Sequence, residues 1–115
     1  MFKKQSEMRS NSMEKVLGGE GVIVFEHIFE ADEMESNCRT LAKGIFEPGS
    51  SIGYHIHEAE EEVYYVLSGV ATVNMNGETR LIHPGEAAYL APGGWHSVTN
   101  NEQVPLEMLV VITTV

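Results

Sequence analysis

Turn residues punctuate this chain so closely that no helix of ordinary length fits between them. Pro48-Gly49, Ser68-Gly69, Asn76-Gly77, Pro84-Gly85 and Pro92-Gly93-Gly94 follow one another at short intervals. Asn-Gly between two alternating runs is the strongest of these signals, because both residues tolerate positive φ and close a two-residue hairpin. The segments between the turns are rich in β-branched and aromatic residues, which suit a pleated, half-buried surface. Strands are expected over Val22 to Phe29, Arg39 to Phe46, Ile52 to His57, Glu62 to Leu67, Val70 to Met75, Glu78 to Ile82, Ala87 to Ala91, His96 to Thr99 and Leu106 to Thr113. Many short strands without a helical period make an all-β barrel or sandwich.

A chain of 115 residues is one domain, long enough to bury a core. Residues 1–20 are polar, with Met8 and Met13 scattered among Ser, Asn, Lys and Glu, and read as a flexible N-terminal arm. Translation starting at Met1, Met8 or Met13 is equally compatible with this composition. No apolar run approaches the roughly 20 residues of a spanning helix, and the first residues lack the apolar stretch of a signal peptide. Cys38 is the only cysteine, so no intrachain disulfide is possible and a reducing cytoplasm is the expected setting. Seventeen acidic against seven basic side chains leave a formal charge of −10. Such a surface repels phosphate backbones and anionic membranes, so neither nucleic acid nor membrane is an expected partner.

Function is written in the histidines. In an extended strand successive side chains point to opposite faces, so His55 and His57 share one face. A helix would set them about 200° apart. Glu62 follows five positions on, opening a strand in which Tyr64 and Val66 share its face, and His96 comes later. Three imidazoles and a carboxylate suit a borderline divalent ion and leave open positions for water, a ligand or dioxygen. Glu58, Glu60 and Glu61 read as a solvated acidic turn. His27 and His83 stand apart, the first in an apolar strand and the second before a turn.

These residues resemble the two motifs of the cupin superfamily. The first, G-x5-H-x-H-x4-E-x6-G, is complete in Gly49, His55, His57, Glu62 and Gly69. The second, G-x5-P-x-G-x2-H-x3-N, runs through Gly85, Gly93, His96 and Asn100, with Ala91 where the family has proline and Pro92 beside it. Only Val70 to Pro84 separate the motifs, as in compact single-domain cupins. The resemblance implies a double-stranded β-helix, or jelly-roll barrel, over residues 21–115. It also implies one divalent transition-metal ion per chain (Fe, Mn, Ni, Zn or Cu) on His55, His57, Glu62 and His96. Similar cupins are dioxygenases, isomerases, decarboxylases or lyases acting on small organic molecules. A metal-dependent enzyme of this kind is the expected function, with a non-catalytic protein that binds or senses a small ligand, around a structural or vestigial metal site, as the alternative.

Beyond the ligands, Tyr64 is the candidate for proton transfer, although a phenol of pKa about 10 is a poor base unless its surroundings shift it. Tyr64, Trp95, Met108 and Val110 are expected pocket-wall residues, and Arg39 or Lys43 an expected cation for a ligand carboxylate. If Glu62 and Tyr64 face inward, then Val63, Tyr65 and Leu67 face out, as do Tyr54 and Ile56 opposite the histidines. A strand apolar on both faces asks for a second cover. A homodimer is therefore expected, with Val22 to Phe29 taking part.

Overall fold

The computed structural model describes all 115 residues. Ten strands run in chain order: β1 (Arg9–Glu14), β2 (Val22–Phe29), β3 (Cys38–Phe46), β4 (Ser51–Ile56), β5 (Glu60–Ser68), β6 (Ala71–Met75), β7 (Glu78–Ile82), β8 (Ala87–Leu90), β9 (Trp95–Thr99) and β10 (Leu106–Thr114). Helical structure is confined to single 3₁₀ turns at Gln5–Glu7, Val16–Gly18 and Ala31–Glu33. No helix is long and apolar enough to cross a membrane. The strands form two antiparallel sheets, ordered β1-β2-β3-β10-β5-β8 and β4-β9-β6-β7. Two such sheets closed over one core make the jelly-roll barrel.

Each of the nine strands expected from turn chemistry is present. Asn76 and Gly77 take φ of 53° and 88°, the doubly left-handed turn that the Asn-Gly pair selects between β6 and β7. Alternation is strict where one face is buried. On β10, Leu106, Met108, Val110 and Ile112 point inward, and on β5 so do Glu62, Tyr64 and Val66. With Ile23, Phe46, Val73 and Val98 these side chains build the core between the sheets.

The N-terminal residues differ from expectation. Residues 9–14, expected within a flexible arm, pair with β2 from Arg9↔His27 to Glu14↔Val22 and complete the larger sheet. Their polar sequence hides this because edge strands need only one half-buried face. After β1 the chain crosses to the other sheet, where two glycines permit close contact. A Cβ on Gly53 would lie 2.1 Å from the Leu17 carbonyl oxygen, and one on Gly19 would lie 2.0 Å from that of Ser51. The Ser51 amide donates to the Glu20 carbonyl at 2.8 Å, and the Ser51 hydroxyl accepts from the Glu20 amide at 2.9 Å. Backbone contact, together with Val16 packed against the core, ties this segment down.

Candidate metal centre and its cavity

The smaller sheet supplies the histidines. His55 lies on β4 directly opposite His96 on β9, and His57 follows the end of β4. There the His57 amide donates to the Gly94 carbonyl at 3.0 Å and its carbonyl accepts from the Gly93 amide at 2.7 Å. The second-motif loop thus clamps the first-motif histidine. Asn100 is structural: its buried amide donates to the Phe46 and Val104 carbonyls at 3.0 and 2.9 Å and accepts from the Glu102 amide at 3.0 Å.

The ligating atoms of His55, His57 and His96 lie within 4.8 Å of one another, a group that could hold a metal ion. Nε2 of His55 is 3.0 Å from Nε2 of His57 and 3.1 Å from Nε2 of His96. Glu62, on β5 of the facing sheet, brings Oε1 to 2.9 Å from His57 Nε2 and 3.4 Å from His96 Nε2. Two ligands at right angles on an ion with bonds of about 2.1 Å stand about 3.0 Å apart, so the donor spacing fits a transition metal.

The outer atoms of the rings support the same fit. His55 Nδ1 donates to the Gly53 carbonyl at 2.6 Å, and His57 Nδ1 donates to Glu60 Oε1 at 3.0 Å. With one proton held on Nδ1, Nε2 of each ring is the nitrogen turned to the shared centre, where it can ligate once it carries no proton. Lone pairs this close repel unless a cation or a proton lies between them. His96 Nδ1 meets the Tyr64 hydroxyl at 3.2 Å.

Electrostatics separate the three rings. The hydrogen bond with Glu62 raises the pKa of His57 above its ordinary value against the opposing effect of burial, with Glu60 adding to the rise. Burial pushes His96 down to about 4 despite Glu62. Tyr64 is fully buried, and burial followed by the Glu62 charge drives its pKa upward.

Glu60 is not part of a solvated turn. It begins β5, and its carboxylate takes the guanidinium of Arg39 through Nε and through Nη2, the latter at 3.1 Å, while also accepting from His57. The three-residue offset from His57, across a turn where Ala59 has φ 55°, is the signal that finds it. Arg39 sits where the pairing with β10 shifts register, since Ile112 opposes Thr40 and Thr113 opposes Cys38. Bulges re-aim side chains, and here Arg39 joins the cavity wall. Lys43 faces away, 3.3 Å from Glu107 and 3.8 Å from Glu26.

Above the histidines opens a cavity of about 340 Å³. Met108 and Val110 line it, as expected. Tyr64 does not: it lies behind His96. Nor does Trp95, which strand alternation turns outward next to the inward His96, where it stacks on Tyr54 with centroids 5.4 Å apart. Several wall residues escape sequence reasoning, among them Arg9 and Asn11 from β1 and His27 from β2. His83 stays clear of the site, bonded to Glu86 in an exposed turn.

Fold and site together describe a small jelly-roll barrel with histidines gathered to suit a metal ion. The family model for the cupin domain matches residues 43–112, and the chain belongs to that family. It is 33% identical to an oxalate-binding protein of Thermotoga maritima over 112 residues, which are 97% of this chain and 93% of that protein. The crystal structure of a predicted oxalate decarboxylase from Thermotoga maritima superposes with a TM-score of 0.94 at 32% identity, covering 100% of both chains. A mannose-1-phosphate guanylyltransferase of Salmonella typhimurium is 30% identical over 81 residues, but these span 70% of this chain and only 17% of that enzyme.

Proposed function

We propose that His55, His57, Glu62 and His96 hold one divalent transition-metal ion per chain, and that the protein binds a small carboxylate there. The observation that carries this reading is the tethering of both Nδ1 atoms, on Gly53 and Glu60, which turns the two Nε2 atoms, 3.0 Å apart, to one shared centre. When bound, an ion from the set Fe, Mn, Ni, Zn and Cu supplies Lewis-acid attraction for a carboxylate oxygen. Oxalate enters as the first ligand to try because the Thermotoga relative, matched over nearly its full length, binds it by name.

Binding rather than catalysis is the function we infer. A general acid or base besides the metal ligands would favour catalysis, and the nearby candidates hold other partners; catalysis by the ion alone belongs to the second reading. Glu60 is shared by Arg39 and His57. Proton transfer is the role the sequence offers Tyr64, but its hydroxyl faces His96 and its raised pKa makes it a poorer base, so its geometry favours orienting that ring. The second reading is a metal-dependent enzyme of dioxygenase, isomerase, decarboxylase or lyase type. The likeness to a predicted oxalate decarboxylase favours it.

The test is elemental analysis of untagged protein, wild type against a His55→Ala, His57→Ala double variant, followed by calorimetry with oxalate and assay of released carbon dioxide. We expect near-stoichiometric metal that the variant lacks, and oxalate bound but unchanged. Carbon dioxide release would replace the binding reading with the enzymatic one. Metal absent even after reconstitution would remove both.

We propose, too, that the protein works as a homodimer in the cytoplasm. Val63, Tyr65 and Leu67 on β5 and Tyr89 on the adjacent β8 remain 40–53% exposed on one outer face. A contiguous apolar face of this kind suits a second copy. The lone Cys38 suits a reducing compartment.

A further inference from the structure

The cavity offers more room and more apolar wall than oxalate alone would use. Its volume of about 340 Å³ lies in the range of pockets that take small organic molecules. Its wall includes Phe25, Ile52, Met108 and Val110. Apolar pockets of this size with a few placed polar groups hold organic molecules rather than small ions.

The wall has a second polar end. The pairing row Arg9↔His27↔Ala42↔Val110↔Tyr64 crosses the larger sheet. It places β2 three strand spacings, roughly 14 Å, from the β5 strand that bears Glu62. There His27 Nε2 meets Asn11 Oδ1 at 3.0 Å, and Arg9 Nη1 makes a long 3.5 Å contact to the same oxygen. With its oxygen occupied, Asn11 keeps its amide NH₂ group as a donor beside the cavity.

Charge decides what this end accepts. Arg9 is neutralised by Glu30, with Nε to Oε2 at 2.7 Å and Nη2 to Oε1 at 3.1 Å. Burial, then the Arg9 charge, lowers the pKa of His27 against the weaker pull of Glu30, so the ring is neutral at pH 7. A cluster holding one cation, one anion and two neutral groups offers hydrogen bonds without net charge. A second carboxylate would have to compete with Glu30 for the exposed Arg9, whereas a hydroxyl, carbonyl or carboxamide would find partners without displacing a charge.

We propose that the cavity takes a monocarboxylate with an apolar body whose far end carries an uncharged hydrogen-bonding group, received by Asn11 and His27. This rests on the carboxylate reading of the metal centre, and it makes β1 the strand that sets specificity.

The experiment is calorimetry on metal-loaded protein with oxalate, hexanoate, 6-hydroxyhexanoate and adipate. One neutral hydrogen bond should make 6-hydroxyhexanoate bind about threefold to tenfold tighter than hexanoate, and adipate should bind more weakly than either. Asn11→Ala should erase the hydroxyl's advantage while leaving metal content and the affinities for oxalate and hexanoate unchanged. If alanine unseats β1, shown by a lowered melting temperature, Asn11→Leu serves in its place. Oxalate binding with no preference for the hydroxyl, or with the preference intact in the variant, would overturn the proposal and leave the carboxylate reading standing. Metal bound but no carboxylate taken up would overturn both.

Discussion

His57 shows how much chemistry one ring carries. Its Nδ1 is anchored on Glu60, which Arg39 holds in turn, and its Nε2 faces Glu62. Partners of this kind fix the tautomer and ring orientation of a ligating histidine, and losing them costs about 10- to 100-fold in metal affinity. Glu60→Gln should therefore weaken metal binding by about that factor while leaving the melting temperature of the metal-free protein nearly unchanged. Equal affinity in a chelator competition would show that Glu60 is incidental. The pH dependence follows from the same ring. Metal must displace a proton from any ligand still protonated. His96, pushed down to about 4, is already neutral near pH 6. His57, with its pKa raised chiefly by Glu62, is not. Competition thus begins above the ordinary imidazole pKa of about 6.5 and deepens as pH falls, by about tenfold per unit for one proton. Chelator competition at pH 5.5, 6.5 and 7.5 checks this, and a flat profile would contradict it.

At the scale of elements, β1 and the 16–21 segment connect the edge of one sheet to β4 of the other. That connection depends on Gly53, where any side chain meets the Leu17 carbonyl at 2.1 Å. The listless-looking polar composition of residues 1–20 carries no trace of it, since the contact is made by backbone. Gly53→Ala should force the crossing segment away and cost about 1–3 kcal/mol, read by urea denaturation, with faster hydrogen exchange concentrated in β1. Unchanged stability would mean that the segment slides aside freely. Translation from Met13 would remove Arg9 and Asn11 from the cavity wall while sparing all three histidines. Such a chain should take up metal as the full chain does and lose any preference for a hydroxyl-ended ligand.

For the whole molecule, the question is what covers the outer face of β5 and β8. Strand β2, expected to join a dimer, is already paired on both edges by β1 and β3, so only its outer face remains to contribute. The exposed Tyr65, at 42%, and Tyr89, at 53%, lie on neighbouring strands. Light scattering at micromolar concentration should give twice the 12.7 kDa chain mass, and Tyr65→Lys should halve it. A monomeric wild type would end the dimer proposal.

Much of this molecule is legible in its sequence because it depends on local rules. Turn residues with positive φ set the strand boundaries, period-two alternation set which side chains face the core, and the His-x-His step put two imidazoles on one face. Alternation alone also suffices to turn Trp95 outward once His96 is inward. What pairing across the barrel decided lay beyond such rules. The bulge at Arg39, its bond to Glu60, the tether from Glu60 to His57, and the meeting of Asn11 with His27 each join residues whose proximity depends on register between strands. Register follows from packing the whole core, so the sequence by itself determined the strands and the metal-ligand candidates, and only the closed barrel decided the shape and polarity of the cavity above them.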